Sequence, residues 1–359
     1  MADALALVAP GQPLRDGIER VLQANRGLLL VVGDGPEVLS ICTGGFLLDA
    51  EFSPQRLSEL AKMDGAVILS ADGDRIARAN VHLMPNAAIP TIETGTRHRT
   101  AERVARSIDV PVVSVSAAMG LVTVYRHDTR HVMQDERRLH ERVRQALQTT
   151  RRFRQRFDTT LSALSALEIA DTVTARDVIA VLQPAELLDR IADEVMVDLV
   201  ELGEDGRLLR LQLEEVLDGV DLERELVVRD YLHFDLDGDG ARRSVSDDEC
   251  GVALAALAAL STDDLLDVRR VSGVLGLGAA LVDPDAPVEP RGYRLLHRLP
   301  RFPEALVDRI VEHFAGLQQI MRTSVADLEE VEGVGEARAR SVKEGLARLA
   351  EASILDRYS

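Results

Sequence analysis

The stretch GTRHRTAERVARSI, Gly95 to Ile108, sets two arginines around a histidine, brackets them with Thr96 and Thr100, and runs into an amphipathic pattern. Ala101, Val104, Ala105 and Ile108 recur at helical spacing. This predicts a helix with Thr96 or Thr100 as N-cap and with Glu102 and the arginines in or near its first turn. Arg97 and Arg99 then lie where backbone N–H groups point outward and the helix dipole favours an anion. Two forked guanidinium groups, hydroxyl donors and a helix N-terminus converging on one place suit a phosphate. A surface helix start whose arginines pair with Glu93 and Glu102 is the plainer account of the same residues.

The flanking sequence reads as alternating strands and helices. Leu14, Ile18, Val21 and Leu22 mark a helix face that Asn25-Arg26-Gly27 terminates, and Leu28 to Val32 is an apolar strand. Ile41 to Phe46 and Leu47 to Phe52 are strand-like around Gly44-Gly45, and Pro54 opens a helix through Lys62. Asp64-Gly65-Ala66 leads into the strand Val67-Ile68-Leu69. An acidic residue and a glycine at the mouth of a buried strand let a backbone approach a ligand closely, or form a tight turn that needs glycine for its φ angle. Asp72-Gly73-Asp74 turns into Arg75 to Met84, and Val110 to Ser116 and Leu121 to Arg126 add two strands. Residues 1–134 are thus expected to form an α/β domain.

Composition narrows the class. The chain has 359 residues, 46% apolar and 28% charged, without Trp and with only 3% aromatics, so its cores must be built mainly from Leu, Val, Ile and Ala. Cys42 and Cys250 have no disulfide or metal-ligand spacing. The N-terminus lacks a basic region followed by an apolar core, and no apolar run approaches a bilayer span, so a reduced cytoplasmic protein away from membranes is expected. The net charge of −18 argues at first against a polyanionic partner. It is unevenly placed, because residues 291–359 hold 11 Arg and Lys against 11 Asp and Glu.

From Asp135 the pattern changes. Leu139, Val143, Leu147, Thr150, Phe153, Phe157, Leu161 and Leu164 keep steps of three or four, which predicts one long helix or two nearly collinear ones. Helical patterns continue through Asp177–Leu202 and Leu208–Leu217, with a turn at Gly203-Glu204-Asp205-Gly206. An all-α spine over 135–290 follows. The basic run Arg151 to Arg156 reads as the solvated side of that helix. Asp235-Leu236-Asp237-Gly238-Asp239-Gly240 imitates a calcium loop, but its twelfth position is Ser246 where a bidentate glutamate is required.

After the linker Pro284 to Pro290, two similar helical units cover 295–321 and 324–352. The second contains Glu332-Gly333-Val334-Gly335, a glycine-hydrophobic-glycine turn between helices that resembles a helix-hairpin-helix motif. Its free N–H groups suit one DNA phosphate, with Arg338, Arg340 and Lys343 for the neighbouring ones, so contacts should be to backbone, insensitive to sequence and sensitive to salt. In the first unit Leu299-Pro300-Arg301-Phe302-Pro303 occupies the same place. A helical protein-interaction module is the plainer account of residues 291–359.

Taken together, Asp64-Gly65-Ala66, Thr96-Arg97-His98-Arg99-Thr100 and Gly333-Val334-Gly335 resemble the DNA integrity scanning protein family of diadenylate cyclases, along the full chain. The resemblance implies that two ATP condense to cyclic di-AMP and two pyrophosphates, with Mg²⁺ or Mn²⁺ as cofactor. It implies that Asp64, Arg97 and Arg99 are catalytic, and that Gly65, Ala66, Leu83, Thr96, Arg97, His98, Arg99, Thr100 and Ser116 bind ATP. Asp64 is the implied metal ligand, or the group that helps deprotonate the 3′-hydroxyl. The implied architecture is an α/β cyclase domain, an all-α spine and a tandem helix-hairpin-helix domain over 291–359, assembled as an octamer of two tetramers. Gly333, Val334, Gly335, Arg338, Arg340 and Lys343 would bind double-stranded or branched, Holliday-junction-like DNA, which inhibits synthesis. Such a protein would be cytoplasmic and nucleoid-associated. The rival readings are a non-catalytic DNA-junction scaffold with a nucleotide-binding domain, and a nucleotidyltransferase acting on DNA ends.

Overall fold

The computed structural model describes residues 1–233, 245–300, 302–314 and 316–356. The Asp235–Gly240 run and Arg301 lie outside the described residues. Two compact units divide the chain: Met1–Ala146 with Asp193–Gln212, and Leu147–Ala192 with Leu213–Ser359.

The first unit is a mixed sheet covered on both faces. Its strands are β1 (Leu28–Val32), β2 (Cys42–Thr43), β3 (Phe46–Glu51), β4 (Ala66–Leu69), β5 (Arg75–Leu83), β6 (Val112–Ser116), β7 (Leu121–Arg126) and β8 (Thr129–Val132). The order across the sheet is β2-β5-β4-β1-β6-β7-β8, with β3 also paired to β5. Only β1 and β4 run parallel; every other pairing is antiparallel. β1 and β4 are buried at every position, as strands covered on both faces must be, which is why they read as unbroken apolar runs.

Helices α1 (Ala2–Leu7), α2 (Pro13–Gln23), α3 (Pro36–Ser40), α4 (Pro54–Leu60) and α5 (Thr96–Ser107) flank the sheet. Ile18, Val21 and Leu57 pack with Leu28, Leu30, Val113 and Val115 on one face. Ala101, Val104 and Ala105 of α5 pack with Leu29, Val31, Ile68 and Tyr125 on the other. Ser53 caps α4 by accepting from the Arg56 amide at 3.2 Å, with Pro54 at the first helical position.

Two long helices follow, α6 (Glu136–Ala170) and α7 (Ala175–Leu202), then α8 (Arg207–Leu217). Residues 193–212 belong with the sheet. His131 Nε2 lies 2.7 Å from Glu201, the Gln134 amide donates to the same carboxylate, and Arg142 pairs with Asp198. Burial works to raise the Glu201 carboxyl, but the His131, Gln134 and Arg142 groups outweigh it and hold the carboxyl low.

The second unit is helical. It takes α6 from Leu147, α7 to Ala192, and α9 (Val220–Tyr231), α10 (Asp247–Ala258), α11 (Thr262–Leu266), α12 (Val268–Val274), α13 (Tyr293–His297), α14 (Glu304–His313), α15 (Leu317–Arg322), α16 (Val325–Glu329) and α17 (Glu336–Asp356). One apolar cluster joins Phe157, Leu161 and Leu164 of α6 to Val178, Leu182, Val227, Leu257 and Leu275. A second gathers Leu295, Leu296, Ile310, Leu317, Leu328, Val334, Val342 and Leu346 with Leu226.

A buried charged network crosses this unit. Arg294, with no exposed side-chain surface, donates to Glu168 at 3.1 and 2.9 Å, to Ser165 at 2.8 Å and to Glu223 at 3.2 Å. Asp230 accepts from the Gly292 and Tyr293 amides at 2.7 Å and the Arg294 amide at 3.0 Å, satisfying the start of α13. Complete burial and the neighbouring Glu168 push the Asp230 carboxyl up to about 6.

Candidate active site

Sheet register brings the expected nucleotide residues to one end. Leu29 of β1 pairs with Ala66 of β4, so Gly27 and Gly65 leave the sheet side by side. Leu28 pairs with Val115 of β6, which puts Ser116 at that same end. Ala66 pairs with Val81, which carries Leu83 there too. Ala66 and Leu83 are themselves buried, in the apolar layer beneath α5, while Ser116 is half-buried. Gly65 has φ +97°, and a Cβ there would come within 2.9 Å of the Asn80 and Val81 backbone. Both accounts of this glycine therefore hold: the turn needs its conformation, and β5 passes too close for a side chain.

The first turn of α5 supplies the basic groups. The helix starts at Thr96 after Gly95, whose φ is +86° and which provides no side-chain cap. This corrects the expectation that Thr96 or Thr100 is the N-cap: a glycine in this conformation turns the chain into the helix by itself and leaves both hydroxyls uncommitted. Arg97 does not pair with Glu93 or Glu102. Its guanidinium stands over Gly27, where a Cβ would come 2.3 Å from its terminal nitrogen, and lies 3.8 Å from Asp64. That is a loose ion pair, and the Asp64 side chain is 97% exposed. Arg99 is exposed, and its guanidinium makes no hydrogen bond or ion pair among the described residues. An exposed carboxylate and the Arg97 guanidinium thus meet at one end of the sheet, beside the first turn of α5, which also carries the exposed Arg99.

His98 is held from the other side. Its Nδ1 lies 2.8 Å from the Tyr125 hydroxyl, which donates to Glu93 at 2.9 Å; Arg130 pairs with Glu93 at 2.6 Å. Burial first, and the bond to Glu93 second, raise the Tyr125 hydroxyl far above its ordinary range. Further along α5, Arg103 donates to Ile89 O at 3.0 Å, Arg106 to Pro90 O, and Thr91 to the buried Glu102. The middle of the segment between β5 and α5 is therefore tied to α5 at Ile89, Pro90 and Thr91. The sequence reading missed Tyr125 and Arg130, and named Glu93 only as a partner for the α5 arginines. A tyrosine in an apolar strand looks like core, and no motif spacing connects the three.

In the second unit, Gly333 has φ +88° and Val334 is buried, while Gly335 has open space beside it. The first turn of α17 follows, with the amides such a turn leaves unpaired. Arg338 donates back to Gly333 O at 2.8 Å and Arg340 pairs with Glu336. Lys343 is turned inward, donating to Met321 O at 2.6 Å. Arg309, absent from the sequence reading, reaches across from α14 to donate to Glu332 O at 2.9 Å.

Two family models match this chain. "DisA bacterial checkpoint controller nucleotide-binding" covers residues 15–130, and "DisA bacterial checkpoint controller linker region" covers 133–282. The DNA integrity scanning protein DisA of Streptomyces coelicolor is 52% identical over 358 residues, covering 100% of this chain and 94% of that protein. The protein of the same name from Acidothermus cellulolyticus is 52% identical over 354 residues, covering 99% of this chain and 94% of its own length.

The chain belongs to the DisA family.

It is accordingly a diadenylate cyclase, an enzyme with a nucleotide-binding α/β domain followed by a helical region. Among solved structures, that of DacA from Staphylococcus aureus is 21% identical, covering 34% of this chain and 85% of that one, with a TM-score of 0.28. No helix among the described residues is long and apolar enough to cross a membrane.

Proposed function

We propose that two copies of this chain, each holding one ATP, meet face to face at this end of the sheet and close cyclic di-AMP between them. The observation that carries the reading is the exposed Asp64 beside Arg97 at the start of α5, a first turn that also carries the exposed Arg99. Each 3′-hydroxyl oxygen attacks the α-phosphorus of the other nucleotide and breaks its bond to the bridging oxygen of pyrophosphate. Two ATP thus give one ring and two pyrophosphates. A single protomer with a single ATP cannot complete the ring, so a two-fold pairing supplies both reactants in register.

Arg97 and Arg99, with Thr96 and Thr100, bind phosphates and offset the charge that builds on the departing pyrophosphate. His98 contributes a ring nitrogen to the same phosphates. Gly65 and Ala66 offer backbone to the nucleotide, and Leu83 and Ser116 border its base and sugar. No group of three or more potential metal ligands occurs among the described residues. Asp64, nearly fully exposed, suits a Mg²⁺ or Mn²⁺ ion that takes its remaining ligands from substrate phosphates and water. When bound, such an ion supplies charge neutralisation at the phosphates.

Residues 291–359 act in this reading as a tandem helix-hairpin-helix module for branched DNA. The turn at Gly333-Val334-Gly335 and the first turn of α17 offer amides to one phosphate, and the exposed Arg338 and Arg340 reach its neighbours. The inward bond of Lys343 makes it the weakest of the three basic contacts. DNA on this module suppresses synthesis in an octameric, cytoplasmic, nucleoid-associated assembly. Incubation of the full chain with ATP and Mg²⁺ or Mn²⁺, with and without a four-way junction, tests the whole reading. Cyclic di-AMP that falls when the junction is added supports it. Junction binding without any cyclic product would favour a non-catalytic scaffold.

A further inference from the structure

We infer that Tyr125 is a positioning residue of the cyclisation: its hydroxyl accepts a hydrogen bond from His98 Nδ1–H and holds the ring so that Nε2 is the nitrogen offered to the nucleotide. The inference rests on the assignment of His98 to the phosphate site. A tyrosine hydroxyl has one proton to give and lone pairs to accept with. Here the proton goes to Glu93 at 2.9 Å, and Glu93 is also the partner of Arg130 at 2.6 Å, as an ionised carboxylate would be. The 2.8 Å contact between the same hydroxyl and His98 Nδ1 then leaves one arrangement, in which Nδ1–H donates. Nδ1 is committed whether the ring is neutral or charged, so only Nε2 is left for a ligand: in the charged ring Nε2–H donates to a phosphate oxygen, and in the neutral ring it accepts from a hydroxyl.

Apolar packing does not require this arrangement. Tyr125 is 1% exposed in the layer under α5, and a phenylalanine ring would fill that layer equally well. The hydroxyl instead links three separate elements to one atom in the first turn of α5: β7 through Tyr125, β8 through Arg130, and the segment before the helix through Glu93. Burial and the bond to Glu93 raise the hydroxyl above its ordinary range, so it keeps the proton it donates to Glu93. Without the hydroxyl the imidazole could turn over about its broad terminal torsion.

The test is a double-mutant cycle in the full chain with Tyr125→Phe, His98→Gln and the two combined. Three quantities are measured: cyclisation kinetics, affinity for 3′-deoxy-ATP, which lacks the attacking hydroxyl, and thermal midpoint. Tyr125→Phe is expected to lower kcat about tenfold, the loss of one well-placed hydrogen bond, with KM within about twofold of wild type. In the His98→Gln background the same change should alter rate and affinity by less than about twofold. Glu93→Gln, which keeps the packing and an acceptor, should give a smaller loss that also vanishes without His98. Full activity in Tyr125→Phe, or losses that multiply in the double variant, would overturn the inference. Wild-type rate and affinity in His98→Gln alone would instead remove the phosphate assignment on which it rests.

Discussion

Arg294→Met removes the cation at the centre of a fully buried network. In the native protein its guanidinium makes two bonds to Glu168 and one each to Ser165 and Glu223. Methionine fills a similar volume but leaves Glu168, which has no exposed side-chain surface, with the Tyr231 hydroxyl at 2.9 Å and no counter-ion. Breaking one side of a buried pair costs about 3–5 kcal/mol, because the remaining charge stays desolvated. That corresponds to a factor of about 10²–10⁴ in the opening equilibrium. Hydrogen exchange reads this locally, at the Gly292, Tyr293 and Arg294 amides held by Asp230, and these should lose protection by about that factor. Adding Glu168→Gln should restore about half of the lost stability by removing the stranded charge while keeping an acceptor for Tyr231. Protection within about tenfold of wild type in Arg294→Met would refute the reasoning, since the network would then contribute no more than an exposed pair.

Other perturbations follow from the same geometry. Gly27→Ala places a Cβ 2.3 Å from the Arg97 terminal nitrogen and 3.2 Å from the Val115 carbonyl at a residue whose φ is unexceptional; the flexible guanidinium should move aside, so activity should fall more than about tenfold while the melting temperature drops only slightly. Gly65→Ala meets backbone at 2.9 Å with φ +97°, and should lower both activity and stability, by about 1–3 kcal/mol in denaturation. Gly333→Val, at φ +88° and 3.0 Å from Arg309, should weaken junction binding and its salt dependence in filter or mobility assays while leaving cyclisation without DNA intact. Asp230 titrates at about 6 when folded against 3.8 ordinarily, so the folded form keeps a proton that the unfolded chain releases. Its contribution is fully present below about pH 4 and is lost as pH rises through about 6, and denaturation midpoints should show this component in wild type but not in Asp230→Asn.

The central strands were legible because the chemistry that buries them is written in single residues: Leu28–Val32 and Ala66–Leu69 are apolar throughout since helices cover both faces. The Asp64-Gly65 turn was legible for a different reason, since a glycine there serves a positive φ. What escaped was long-range pairing. β8, Thr129–Val132, is short and half polar and exists because β7 offers it an edge. Glu93, Tyr125 and Arg130 meet only through the fold, and Arg309 reaches the Gly333 turn from another helix. Nothing in the sequence sets Arg294 apart from the other arginines of the tail, although its side chain is wholly enclosed. Lys343 was expected at a phosphate from its place just past the Gly333 turn; in the structure its long stem carries the ammonium to the Met321 carbonyl.

The first compact unit is built from two separate pieces of chain, Met1–Ala146 and Asp193–Gln212. On the ribosome this imposes a waiting time. When the last strand has been made, Glu201 and Asp198, which His131, Gln134 and Arg142 require, have not yet been translated. At about 5–20 residues per second, residues 147–212 take about 3–13 s to appear. Over that interval the nascent sheet holds its last strand and the start of α6 without their final partners. The cyclase domain therefore cannot finish folding in the order in which it is written.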